Sequence, residues 1–259
     1  MPQGETLAVV RNQLSGDAPM DTAVSSAILQ RVTNGDLAET LQVGTPHRVL
    51  AFGKHDTLSD GFGDAVSIAL QHGYDPTVRI AGGRAVTFSP SIIRFAWTLP
   101  VADPATTMHA RFEALSSAVV RMLRRFGVEA EIGEIPNEYC AGRYSVHIGG
   151  HGKVMGVGQR LSRGAAQVGG LIVIEYPDEI NAVLVPVYRA LGVQMDPSAT
   201  GSIADVRSVT ASDVSEAFAA EIAGDRPIDE VELDKETKDL ASSLRERHVV
   251  SNLHGDTKP

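Results

Sequence analysis

The 259-residue sequence contains a single cysteine, Cys140. One cysteine excludes an intramolecular disulfide framework and any cysteine-based zinc cluster. A reducing cytoplasm is then the simplest compartment. No apolar run reaches the roughly 18–20 residues that a bilayer span needs. Met1 to Asp17 holds no basic segment followed by an apolar block, so no secretory signal is expected. The net charge is −9. That balance argues against non-specific nucleic-acid binding, which rests on phosphate neutralisation. Nucleotide fingerprints are missing as well. No Gly-x-Gly-x-x-Gly precedes a helix, and the segment Gly149 to Val154 lacks the glycine spacing and the Ser or Thr after Lys153 that a phosphate loop requires. His147 and His151 lie four apart across a strand and a turn with no carboxylate cluster beside them, so no metal site is expected. Glu134, Glu138, Asp64 and Asp178 form no visible pair for glycosidase chemistry.

What is present is enough apolar residue, 43%, to build a core, with 21% charged. The length fits one large domain, or one domain with a small appendage. Helical periodicity marks Met20 to Val32, with Asp21 as the expected cap, then Asp60 to Gln71, Thr107 to Phe126, Glu179 to Leu191 and Asp213 to Ile222. Strands are expected at Thr40 to Val43, Arg48 to Phe52, Thr77 to Ile80, Ile92 to Leu99 and Ala165 to Glu175. Tyr144 to Ile148 and a return strand from Lys153 form a hairpin. Short turns rather than helical crossovers join several strands, which predicts an α+β fold with a mixed or antiparallel sheet flanked by helices. Residues 1–17 are polar and expected to be loose. The composition shifts after Gly224. Asp229 to Arg247 runs from acidic to basic, the order a helix dipole favours, with sparse apolar positions. The expected division is a catalytic domain over 18–224, then an acidic peripheral helix and a flexible tail over 225–259.

Cys140 sits in a polar, glycine-flanked loop, Asn137 to Gly142. A lone cysteine is commonly a small buried hydrophobe. Polar neighbours on both sides instead suit an exposed thiol. At an ordinary pKa of about 8.5 a thiol is mostly protonated at neutral pH, and a nearby cation lowers that value. Lys153 and Arg143 are the candidate cations, and Glu138 would oppose them if it faced the sulfur. Glycines on the return strand, Gly156 among them, suggest close approach of a backbone or ligand. A thiol on a loop with a lysine on the adjoining strand can support acyl transfer. The paired glycines in Arg79-Ile-Ala-Gly82-Gly83-Arg84-Ala85 also allow close backbone approach, and exposed amides there can hold an anion. Arg121, Arg124 and Arg125 share one helix face, a solvated face or a dock for an acidic carrier protein.

Two segments together resemble the lipoate–biotin ligase and octanoyltransferase superfamily. Arg79-Ile-Ala-Gly82-Gly83-Arg84-Ala85 is similar to its Arg-x-x-Gly-Gly-x-Ala motif. Tyr139-Cys140-Ala141-Gly142, followed by Gly152-Lys153-Val154-x-Gly156-x-x-Gln159-Arg160, resembles the cysteine-dependent branch. Ala141 stands where that branch has proline, and Arg84 where many ligases have a third glycine. The resemblance implies a biotin/lipoate ligase-like catalytic domain that moves an octanoyl or lipoyl group through a thioester on Cys140. Lys153 would orient the thiol or accept a proton. Arg79, Gly82, Gly83, Arg84, Ala85, Tyr139, Gly142 and Gly156 would line the substrate site. The donor would be an acyl-carrier protein or the glycine-cleavage carrier protein, the acceptor a lysine of a lipoyl domain, with no cofactor required. The strand Ile92 to Leu99 would wall the acyl chain. The alternatives are an ATP- and Mg-dependent lipoate ligase, with Lys153 on an activated acyl phosphate, and a non-catalytic module that binds lipoyl or acyl-carrier partners.

Overall fold

The computed structural model describes residues 5–250. Its elements are β1 (Leu7–Arg11), α1 (Ala18–Asn34), β2 (Thr40–Gly44), β3 (Val49–Phe52), α2 (Phe62–Gln71), β4 (Asp75–Val78), β5 (Val86–Phe88), β6 (Ile92–Pro100), α3 (Met108–Arg125), β7 (Glu131–Ile132), β8 (Val146–Ile148), β9 (Gly152–Ser162), β10 (Ala165–Val173), α4 (Pro177–Ala190), α5 (Ala211–Ala223), β11 (Ile228–Glu230) and α6 (Lys235–Leu244). The strands form an eight-stranded sheet in the order β11-β1-β2-β6-β10-β9-β8-β7 and a three-stranded sheet, β4-β3-β5. Both sheets are mixed. β1 runs parallel to β11 and β2, whereas β2, β6, β10, β9 and β8 alternate in direction. The α+β expectation therefore holds.

Alternation along the central strands sorts their side chains between two faces. Phe95, Trp97 and Leu99 of β6 point with Val168 and Ile172 of β10 into a core closed by Leu115, Val119 and Met122 of α3 and Phe218 and Ile222 of α5. The opposite face is covered by α1 and, beside it, by the small sheet with α2 and α4, which share a second core around Phe52, Phe62, Val183 and Tyr188. The interval between the large sheet, α1 and the small sheet is not filled by side chains, and it is where the site lies.

Several local expectations are corrected. Residues 7–11, expected to be loose, form β1, a buried strand held between β2 and β11. Its apolar run is short, and one of its partners lies more than 200 residues away, so no local pattern announces it. Helix α1 is capped not by Asp21 but by Asp17, which accepts from the Met20 N–H at 3.1 Å. Asp21 instead accepts from the Ser15 backbone and hydroxyl. Thr40 to Val43 and Arg48 to Phe52 enter different sheets. After Gly224 the chain adds β11 to the large sheet and packs Leu233, Ala241 and Leu244 against Ala23, Val24 and Ala27 of α1. The expected tail over 251–259 lies outside the described residues.

Candidate active site

The thiol of Cys140 opens onto the gap between the sheets. The gap is a cleft of about 880 Å³, mouth included, lined by Val49, Ala51, Val86 and Phe88 of the small sheet and by Gly156, Gly158, Gly169 and Ala96 of the large one. The last three stand opposite one another across β9, β10 and β6. Three strands thus present almost no side chain on this face, which leaves a shallow, mostly apolar channel. Among the described residues no group of three or more His, Cys, Asp and Glu is placed to hold a metal ion.

Cys140 occupies the left-handed region, at φ 43°. For a residue with a Cβ this costs about 1–3 kcal/mol and persists only where surrounding bonds over-determine it. They do so here. Lys153 Nζ, fully buried, donates to the Tyr139 carbonyl at 2.9 Å, the Cys140 carbonyl at 3.0 Å and Glu138 Oε1 at 2.9 Å. The Cys140 N–H donates to the Tyr188 hydroxyl at 2.7 Å, and that hydroxyl donates to the Ala85 carbonyl at 3.0 Å. Glu138 accepts further from the N–H groups of Ile135 and Gly142 and from the Ser145 hydroxyl. The buried Lys153–Glu138 pair is thus fully hydrogen-bonded, the condition under which such a pair is tolerated. Its ammonium also lies 4.8 Å from the centre of the Tyr139 ring. Gly156 makes room for it, since a Cβ there would come within 3.1 Å of Lys153 Cε.

The cation hydrogen-bonded to the sulfur is Arg79, not Lys153 or Arg143. Arg79 Nη2 donates to Cys140 Sγ at 3.2 Å and to the Arg84 carbonyl at 2.7 Å, and the Arg84 N–H points at the sulfur from 3.3 Å. Arg143 turns away to the Tyr144 hydroxyl and lies over that ring. Burial pushes the Cys140 thiol up, but the charges of Arg79 and Lys153, with the hydrogen bonds from Arg79 and the Arg84 amide, outweigh it and hold the thiol below its ordinary range. Glu138 faces Lys153 and not the sulfur. Gly83 is required twice over. Its φ is 100°, and a Cβ there would sit 2.7 Å from Cys140 Sγ. Gly82 backs onto β9, with its carbonyl 3.2 Å from where a Cβ on Gly158 would stand. Arg84 also pairs with buried Asp56 at 3.3 Å, and Asp56 accepts the Gly53 N–H.

The expected residues from the two motifs therefore converge on one sulfur, but their parts differ from those expected. Sequence reasoning missed Tyr188 and Asp56. Tyr188 lies on the apolar face of α4, where a tyrosine reads as core. The arginines of α3 are largely spoken for: Arg121 and Arg125 pair with Glu221 at 2.7 and 2.6 Å, which ties α3 to α5. Among the described residues no helix is long and apolar enough to cross a membrane.

The arrangement is that of an α+β domain with a thiol of lowered pKa lining an apolar cleft. Solved structures share the architecture. A lipoate-protein ligase A bound with ATP has a TM-score of 0.75 at 20% identity over 95% of both chains. A bi-partite lipoate protein ligase from Thermoplasma acidophilum has a TM-score of 0.73 at 19% identity, over 95% of this chain and 93% of that one. The chain belongs to the lipoyl protein ligase A/B catalytic domain family, whose model matches residues 17–223. Among curated relatives, the octanoyl-[GcvH]:protein N-octanoyltransferase of Geobacillus kaustophilus is 28% identical over 178 residues, 69% of this chain and 62% of that protein. The enzyme of the same name from Bacillus velezensis is 28% identical over 207 residues, 80% of this chain and 72% of that protein.

Proposed function

We propose that this protein is an acyltransferase that moves an octanoyl or lipoyl group from a carrier protein to a lysine of a lipoyl domain through a thioester on Cys140. The observation that carries the reading is the thiol itself, lowered in pKa by Arg79, Lys153 and the Arg84 amide and facing an apolar channel. The names of the relatives agree with it and favour a GcvH-type glycine-cleavage carrier protein over an acyl-carrier protein as the partner. The Cys140 thiolate attacks the acyl carbonyl carbon and forms a C–S bond. The bond from that carbon to the carrier breaks, and the carrier departs with a proton. The acceptor lysine, as free amine, then attacks the thioester. The amide forms, the thiolate leaves, and the proton shed by the amine returns to the sulfur. Arg79 and the Arg84 N–H adjoin the carbonyl oxygen of an acyl group on Cys140 and serve as its oxyanion donors, an effect typically worth about 10²–10³ in rate per donor. Lys153 holds the cysteine loop and adds positive potential. Gly82, Gly83, Ala85, Tyr139, Gly142 and Gly156 shape the site. Neither metal nor nucleotide takes part.

Intact mass spectrometry of the full chain mixed with octanoylated carrier tests this. An octanoyl adduct on Cys140 that discharges to an apo lipoyl domain is expected, and Cys140→Ala should cut transfer by at least about 10³-fold. Wild-type transfer by Cys140→Ala would overturn it. Modification of the lipoyl domain by free lipoate only with Mg-ATP would identify a ligase instead. Carrier binding without any adduct would identify a binding module.

A further inference from the structure

The channel that starts at Cys140 ends on a polar wall. It crosses the glycines of β9 and β10 and Ala96 of β6, then meets α1 at Ser25. There Arg94 Nη2 donates to Ser25 Oγ at 2.7 Å and to the Asp21 carbonyl at 3.2 Å. Ser25 Oγ donates onward to Gln42 Oε1 at 3.0 Å, and Gln167 Nε2 donates to the Ser25 carbonyl at 3.0 Å. An apolar channel that only had to bury hydrocarbon would not need an arginine at its end. Behind that arginine lies a small recess, with room for little more than a water molecule, lined by Val10, Gln13, Leu14, Gln42, Val43, Gly44 and Arg94. Arg94 is the one residue that lines both spaces. Its partner on β2 is Gly44.

We infer that Arg94 sets the length of acyl chain the cleft accepts: its hydrogen-bonded guanidinium closes the channel and stops a linear chain there. This rests on the acyl reading of the cleft. A longer chain has to displace the guanidinium, and so to break its bonds to Ser25 and the Asp21 carbonyl inside the protein. Both the bulk and the lost hydrogen bonds oppose it. Truncation of Arg94 frees the volume of its own side chain at the channel end and opens it to the recess behind, while Ser25 keeps its bond to Gln42.

Titration calorimetry of the full chain with free hexanoic, octanoic, decanoic and dodecanoic acids reads chain length without any turnover. Wild type should bind octanoate about tenfold or more tighter than dodecanoate, within the roughly 10–200-fold that a misfit methylene costs in an apolar pocket. Arg94→Ala should reverse that order, and Arg94→Met, which loses only the head, should shift it part of the way. Melting curves identify which variants are folded, and either folded variant suffices. A wild-type length profile in a folded variant overturns the inference. So does tight dodecanoate binding by wild type. If the profile shifts as expected but octanoylated carrier yields no Cys140 adduct, the length wall stands and the transfer chemistry falls. If the adduct forms and the profile does not move, transfer stands and the wall falls.

Discussion

The two faces of the central strands β6 and β10 obey opposite rules. On one face Phe95, Trp97, Val168 and Ile172 interlock with α3 and α5, and Phe95 meets Phe218 with ring centres 4.9 Å apart. On the other face the same strands carry Ala96, Gly169 and Arg94, with Ser25, Gln42 and Gln167 around them. The first face supplies stability through tight packing. The second gives up that packing to keep a channel open. It holds its shape with hydrogen bonds, which specify direction as well as contact. The lesson is a division of labour within single strands: consecutive residues alternate between holding the sheet together and shaping the site.

That division can be broken by substitution on each side. Phe218→Ala, on the packed face, should cost about 3–5 kcal/mol in urea unfolding and leave the pH dependence of Cys140 alkylation unmoved. A shift in that dependence would show that the faces are coupled. Arg79→Met, across the channel from the open face, should leave stability close to wild type and slow acyl transfer by about 10²-fold or more. It should also move the alkylation midpoint of Cys140 to higher pH. The sign follows from the charge: Arg79 favours the thiolate, so its removal raises the thiol pKa and postpones ionisation. An unmoved midpoint would remove Arg79 from the site. The smallest effect is expected from Gly169→Ala. Its Cβ would stand 3.3 Å from the Phe95 carbonyl oxygen, a tight but tolerable contact. Stability should change by less than about 1 kcal/mol, whereas octanoate affinity should fall by about tenfold as the floor rises. Calorimetry reads both outcomes, and a stability loss without an affinity loss would mean that Gly169 serves packing alone.

Arg79 shows where sequence and structure part. The motif from Arg79 to Ala85 and the loop around Cys140 are recognisable in one dimension because glycines and a lone cysteine in polar surroundings are locally unusual. Their meeting is not recognisable. Arg79 and Cys140 are 61 residues apart, and Lys153 is nearer in sequence and looked the better partner for the sulfur. The fold reverses that order by turning Lys153 inward to Glu138 and to the loop's own carbonyls. Tyr188 and Arg94 are harder still. One resembles a core tyrosine and the other a surface arginine on a strand, and each acquires its role only from what packs around it.

By itself the sequence determined which segments are helix or strand wherever apolar periodicity is strong, as in α3, β6 and β10, and which loop carries the lone cysteine. Those properties are local, set by neighbours within a turn or a pleat. Only the tertiary structure decided that residues 7–11 are a strand, that Arg79 rather than Lys153 bonds to the thiol, and where the channel ends. Each of those depends on groups brought together from distant parts of the chain, and no spacing along the chain encodes their distance in space.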